Sequence, residues 1–261
     1  VSGSRTAACA TVCAAAVVAT LAGAATARAD DTGSLTAQQI SQRSRDALLG
    51  ATSLHMRATG AFGGSQGGAP TASNAPTSFD LTLDRAGNCR GSVDLGPRGS
   101  VQIVKRGHDV WLKPDAAFWK SQVPGRGAAL ASLVGNRYLK GTTDDPVLRE
   151  TTDVCDLDTF RQSISGATQQ PATGLAKGKP AKVDGTEVIP VTGTQQGRTV
   201  TLDVAATGKP YPVRISIAQR GAKNPEATLR FDGFDKPVPA ATPSAAQSLD
   251  ISGLAGTSQA S

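Results

Sequence analysis

Histidine is nearly absent from this chain. His55 and His108 are the two in 261 residues, and neither has a zinc-ligand spacing. The chain also lacks a nucleophile elbow, a Walker loop and a dinucleotide fingerprint. Aromatic residues make up 4% of it, so Trp111 and Trp119 occupy structurally costly positions, either as core or as ligand contacts. No run of one charge sign occurs. The 27 Lys and Arg are interleaved with 21 Asp and Glu, so the pI of 9.4 is not a nucleic-acid stripe. An acidic cluster, Asp144, Asp145, Glu150, Asp153, Asp156 and Asp158, lacks the spacing of a calcium loop and reads as helix caps on a solvated face. These absences point away from catalysis, metals, cofactors and nucleic acid. No apolar run after residue 27 is long enough to span a bilayer.

One apolar run does occur, near the N-terminus. A short start containing Arg5 leads into an Ala-, Val-, Thr- and Leu-rich stretch over 7–27, closed by Ala27-Arg28-Ala29 and then Asp30-Asp31. A basic start, an apolar middle and a small-x-small exit predict a secretory signal peptide over 1–29, cleaved after Ala29. Removing 29 of the 261 residues leaves 232, enough for one domain with a real core. It also removes two basic residues, leaving 25 against 21 acidic ones, a net +4. Leu21-Ala22-Gly23 is followed by Ala24 where a lipidated cysteine would stand, so the reading is a released rather than an anchored protein. Cys9 and Cys13 leave with the leader. Cys89 and Cys155 remain, and in an exported chain two cysteines most simply pair as a disulfide. A metal site competes, but the ligand count is too low.

Along the rest of the chain the period of the apolar residues changes. Thr36-Ala37-Gln38-Gln39 is a capping-box pattern, and Ile40, Ala47 and Leu48 share the face of a first helix ending at Gly50. Leu54, Met56 and Ala58 alternate as on a strand. Residues 60–76, rich in Gly, Ser, Ala and Pro, read as a flexible loop. Phe79-Leu81-Leu83, then Cys89-Gly91-Val93-Leu95, Val101-Ile103 and Val110-Trp111-Leu112 continue the strands, joined by tight turns. Asp115 caps a helix holding Phe118 and Trp119, Pro124 ends it, and 128–134 forms another helical piece. Asp145-Pro146 opens a turn before Leu148, and Leu157, Phe160 and Ile164 have helical spacing. Strands return over 186–191, over 199–204 with Val200, Leu202 and Val204 on one face, at Val213-Ile215-Ile217, and over 227–231. Beyond Lys236 the Pro-, Ala- and Ser-rich composition predicts a disordered tail over 237–261. The order is helix, strands, helices, strands. It predicts an α+β fold in a single domain over 30–236, with helices on one face of an antiparallel sheet. There is no internal repeat.

The runs Phe79-Asp-Leu-Thr-Leu-Asp84, Gly87-Asn-Cys-Arg-Gly91, Val110-Trp-Leu-Lys-Pro114 and Phe118-Trp-Lys120 carry a resemblance. So do Tyr138-Leu-Lys-Gly141, Cys155-Asp-Leu-Asp158 and Gly208-Lys-Pro-Tyr-Pro-Val-Arg-Ile215. From Ser34 to Phe234 the chain resembles the actinobacterial LppX/LprG envelope lipoproteins. The resemblance implies a LolA-like curved antiparallel half-barrel, with helices covering a concave face able to hold acyl chains. It implies a carrier of lipids or lipoproteins, in the cell envelope or outside the cell, with peripheral membrane contact. Val101, Ile103, Trp111, Phe118, Trp119, Leu202 and Ile215 are the expected ligand-binding wall. Two features depart from the family: the anchoring cysteine is missing, and the Cys89/Cys155 pair would tie the second hairpin to the helical cover. An envelope sensor or protein-interaction module on the same fold is the competing expectation.

Overall fold

In a computed structural model the described residues are 32–252, apart from 61–75, 146–147, 149–151 and 168–171. The leader expected over 1–29 and nearly all of the loop expected over 60–76 lie outside the described residues. The elements are α1 (Ala37–Gly50), β1 (Ser53–Gly60), β2 (Ser78–Asp84), β3 (Cys89–Asp94), β4 (Ser100–Arg106) and β5 (Asp109–Pro114), then α2 (Ala116–Gln122), α3 (Gly127–Val134), β6 (Tyr138–Thr142) and α4 (Leu157–Ala167). The second half adds β7 (Thr173–Lys177), β8 (Ala181–Val183), β9 (Thr186–Gln195), β10 (Arg198–Ala205), β11 (Pro212–Gln219), β12 (Ala227–Asp232) and β13 (Ser248–Asp250).

All thirteen strands join one open sheet in the order β13-β6-β5-β4-β3-β2-β1-β12-β11-β10-β9-β7, with β8 paired to β9. Every pairing is antiparallel except β13 with β6. The α+β expectation and the antiparallel meander hold. Tight turns drive the meander, because two-residue connections can join only antiparallel neighbours.

Strand alternation gives the sheet two chemically different faces. On one, Leu54, Met56, Leu81, Leu83, Ile103, Val110 and Leu112 meet Leu157 of α4 and Leu48 of α1 in one buried cluster. Helix α1 also reaches a second cluster, where Ala37 and Ile40 pack on Ile189, Val191 and Val204. Local chemistry fixes this helix at both ends. Gln39 N–H donates to Thr36 Oγ1 (3.3 Å) and Thr36 N–H to Gln39 Oε1 (3.0 Å), forming the expected capping box. At the other end the Arg85 guanidinium donates to the carbonyls of Leu49, Gly50 and Ala51 at 3.0–3.2 Å, placing a cation where the helix dipole favours one. Of the acidic cluster, Asp156 serves as a helix cap and Asp158 pairs with Arg161 at 3.0 Å. Asp156 Oδ1 accepts from the Asp158 and Thr159 amides at the start of α4. Asp145 Oδ2 accepts from the Thr142 amide at 2.8 Å.

Cys89 and Cys155 are joined in a disulfide, with Cα atoms 5.6 Å apart and a sequence separation of 66. Both are fully buried. Cys89 opens β3 on the helix-covered face, opposite Leu83, and Cys155 immediately precedes α4. The bond therefore pins the helical cover to the sheet. Closing a loop of this length removes unfolded-chain entropy worth about 4 kcal/mol.

The tail expectation is corrected over 237–252, while 253–261 lie outside the described residues. Residues 237–252 are ordered against the sheet. Asp235 anchors the start: its carboxylate accepts from Thr52 N–H (2.8 Å), Thr52 Oγ1 (3.0 Å) and Tyr211 Oη (2.5 Å). The Tyr211 bond, followed by those from Thr52, holds this carboxyl well below the usual range. Val238 is buried, Ala241 accepts from Arg90 Nη1 at 2.8 Å, and β13 adds to the sheet edge beside β6, continued by Ile251 N–H to Lys140 O. Arg90, Val104, Trp111 and Lys140 form one cross-strand row, and the tail is bonded at both ends of it. Crossing from β3 to β13 covers four strand spacings, about 19 Å. The seven residues from Ala241 to Ser248 reach about 24 Å extended. A tail with so few apolar residues has no periodicity of its own; it is ordered by partners supplied elsewhere in the chain.

Two expectations follow. Reduction of the wild-type disulfide lowers the melting temperature in proportion to about 4 kcal/mol, and reductant leaves a Cys89→Ala/Cys155→Ala variant unaffected; calorimetry with and without reductant reads both. Truncation after Ala241 uncovers Trp111, seen as a red-shifted emission and increased acrylamide quenching in a Trp119→Phe background. An unchanged spectrum would refute the crossing.

Candidate functional site

The register aligns one apolar row across eight strands. Val101 faces Val93, Val93 faces Phe79, and Phe79 faces Ala58. Ala58 faces Leu229, Leu229 faces Ile215, and Ile215 faces Leu202, which faces Val191. All eight lie on the helix-covered face. Their burial is uneven. Toward β4 the row is closed: Val101 is 2% exposed and Val93 8%. At Leu229, Ile215 and Leu202 it is only half-buried, and so are Ile217 and Val200 two residues further along the strands.

These five residues form an apolar strip across β10, β11 and β12. Leu202 borders the cluster held by α1. Ile215 and Leu229 border the one beneath α4, to which Phe160 and Ile164 contribute. Phe160 packs on Phe231 with ring centroids 6.3 Å apart. The strip thus lies between two helical covers. Its side chains offer no hydrogen-bonding or ionisable group, so the site can take up apolar surface and little else.

The expected wall residues are distributed differently from one another. Leu202 and Ile215 stand side by side in the half-buried strip. Val101 and Ile103 lie on the same face, but within the closed part of the core. Phe118 packs against the rim of that core, and Trp119 lies edge-on to Phe118 with centroids 6.0 Å apart on α2. Trp111 is a correction. It pairs with Val104, and its neighbours Val110 and Leu112 belong to the helix-covered core, so strand alternation turns Trp111 to the opposite face. There it is 7% exposed, in the row spanned by the tail. Ile217, Val200 and Leu229 were not among the expected residues. Period two does contain the signal for them, since Ile217 shares the face of Ile215 and Val200 that of Leu202.

The opposite face carries the charge. His55 Nε2 lies 2.7 Å from Asp80 Oδ1 and Nδ1 lies 2.9 Å from Asp232 Oδ1. Arg57 reaches the other Asp232 oxygen at 2.8 Å. Arg214 pairs at 2.7 Å with Asp203, itself 2% exposed, and Arg230 pairs with Asp184. A hollow of about 480 Å³ is lined by Arg57, Thr59, Asp184, Thr228 and Arg230. Burial pushes the His55 pKa down, but the hydrogen bonds and charges of Asp80 and Asp232 outweigh it, and the net direction is upward from 6.5. No group of three or more metal-ligating side chains occurs among the described residues.

A group raised in the folded state stabilises below its unfolded pKa and loses that contribution as pH rises through the folded value. Wild-type melting temperature should therefore fall from about pH 6.5 upward relative to a His55→Gln variant. Parallel profiles for the two proteins would remove His55 from the balance.

No family model and no curated protein matches the chain. Among solved structures, LprF from Mycobacterium bovis superposes with a TM-score of 0.50 at 14% identity, over 80% of this chain and 97% of LprF. The lipoprotein LppX of Mycobacterium tuberculosis gives 0.46 at 18% identity, over 78% of this chain and 98% of LppX. A LolA superfamily protein from Nitrosomonas europaea gives 0.20 at 11% identity, over 78% and 95% of the two chains. At these identities the likeness is one of fold, and LprF carries it. This chain shares the fold of LprF.

Proposed function

We propose that this chain is an exported, non-enzymatic envelope protein that binds or carries lipid acyl chains on the concave face of a half-barrel sheet. The observation that carries the reading is the half-buried strip of Val200, Leu202, Ile215, Ile217 and Leu229, set between α1 and α4. Elsewhere on the row Val101, Val93, Ala58 and Val191 are sealed and Phe79 alone is half-buried, so the strip is where several adjacent side chains can take added apolar surface. Each buried methylene contributes about 0.8 kcal/mol. Ten of them supply about 8 kcal/mol gross, the scale of a micromolar Kd before ordering costs. The leader read over 1–29 supports export, and the disulfide suits an oxidising compartment. Among the described residues, no helix is long and apolar enough to cross a membrane.

The competing reading is a sensor or protein-interaction module, and the closed packing beneath β1 to β5 favours it. One experiment separates the two. Native mass spectrometry with organic extraction should recover stoichiometric lipid, and an Ile217→Asp exchange should weaken uptake of a fluorescent acyl probe at least about tenfold. Ile217 is half-buried, so circular dichroism first verifies that the variant is folded at the assay temperature, and Ile217→Ser, with the smaller burden on folding, should weaken uptake in the same direction. An apo mass, with no uptake of added phospholipid, rejects carriage and leaves the interaction module.

A further inference from the structure

Helices α2 and α3 form a hairpin that stands apart from the two clusters. Phe118 seats it on the core rim, Asp115 Oδ1 caps α2 by accepting from Phe118 N–H at 2.7 Å, and Ser121 Oγ donates to Arg98 O at 2.9 Å. Helix α3 then packs on α2 so closely that a Cβ at Gly127 would strike the Trp119 backbone carbonyl. This close approach turns the remaining faces of α3 outward. Ala128, Ala129, Ser132 and Leu133 are exposed and Leu130 is half-buried. Leu133 is 69% exposed, and it is the large apolar side chain most open to solvent among the described residues.

A surface helix normally turns charged or polar residues to solvent. Helix α3, Gly-Ala-Ala-Leu-Ala-Ser-Leu-Val, has no charged residue. The hydroxyl of its one polar side chain, Ser132, donates internally to Ala128 O at 3.0 Å. Along the chain, from Ala116 to Thr143, there is no Asp or Glu, while Lys120, Arg126, Arg137 and Lys140 are present; Lys140 pairs with Asp250 at 3.8 Å, so Lys120, Arg126 and Arg137 are the cations that bear on the helix. Arg137 donates to the carbonyls of Leu133 and Val134 at 3.0 Å, which holds a cation beside the exposed leucine. Trp119 lies half-buried on the partner helix, and tryptophan favours the membrane interface.

We infer that the α2–α3 hairpin is a docking element for the surface of a bilayer containing anionic lipid, with Leu133 and Leu130 entering the headgroup boundary and Lys120, Arg126 and Arg137 meeting the phosphates. A protein partner would also bury leucine. The cations Lys120, Arg126 and Arg137, carried on an acid-free stretch of chain beside the exposed leucine, are what select a lipid surface, because each Lys or Arg near an anionic leaflet contributes about a fivefold gain in binding. One short apolar face with a few cations gives weak, reversible and salt-sensitive attachment. The inference is independent of acyl-chain carriage, since the vesicle surface and the extracted cargo are read separately.

The test is flotation of the full chain with phosphatidylcholine vesicles, with and without 30 mol% phosphatidylglycerol. The expected result is binding to the anionic vesicles that falls with salt, is lost at least about tenfold in Leu133→Asp, and falls about twenty-five-fold in Lys120→Gln/Arg126→Gln. A Leu133→Trp variant supplies a local reporter whose extra emission shifts to the blue on vesicle addition. All positions changed are exposed, and an unchanged melting temperature verifies folding. Equal binding by Leu133→Asp, or Leu133→Trp emission unmoved by vesicles, overturns the inference even if another part of the chain adheres to lipid. Capture of a soluble protein through Leu133 with no vesicle binding overturns it in favour of a protein partner.

Discussion

Register is the constraint on which everything else in this molecule rests. Side chains alternate with a period of two, so a slip of one residue in any strand pair would exchange its apolar set for its polar one. The row from Val101 through Val93, Phe79, Ala58, Leu229, Ile215 and Leu202 to Val191 stays on one face only because seven successive pairings keep step. The same bookkeeping puts Arg57, His55, Asp232, Arg230, Arg214 and Asp203 together on the other face, where opposite charges meet across neighbouring strands. Helix packing and the disulfide build upon that division.

The two halves of the helix-covered face use the division differently. Beneath β1 to β5 the core closes on itself, and the Cys89–Cys155 bond fastens the segment before α4 to β3. Toward β10, β11 and β12 the sheet carries equally apolar side chains, but the covers on either side leave them half-buried. The proposed acyl-chain binding rests on this contrast: a closed, crosslinked half beside one that has apolar surface left half-buried.

Much of the secondary structure was legible in the sequence. The capping box at Thr36, the Asp115 cap and the alternation through β1 to β5 are local codes, and each appears where its residues predict. The tail and Trp111 were not legible, for one shared physical reason. Trp111 interrupts the apolar run Val110-Trp111-Leu112 with a third large apolar residue, and a continuous run does not declare which face each member takes. The tail, with Val238 as its buried anchor and Leu249 and Ile251 half-buried, has too little apolar surface to order itself. Each makes sense only with the other: the opposite face sets Val104 and Trp111 between Arg90 and Lys140, and the tail is bonded to both of those end residues.

By itself the sequence determined the α+β order and the faces of most strands, because these depend on spacing along the chain. It also determined that Leu202 and Ile215 are apolar and inward. Only the tertiary structure decided that these two are left half-buried whereas Val101 and Ile103 are sealed. Burial is a property of what lies across from a side chain, and here the opposing groups come from α1 and α4, remote in sequence from the strands they cover.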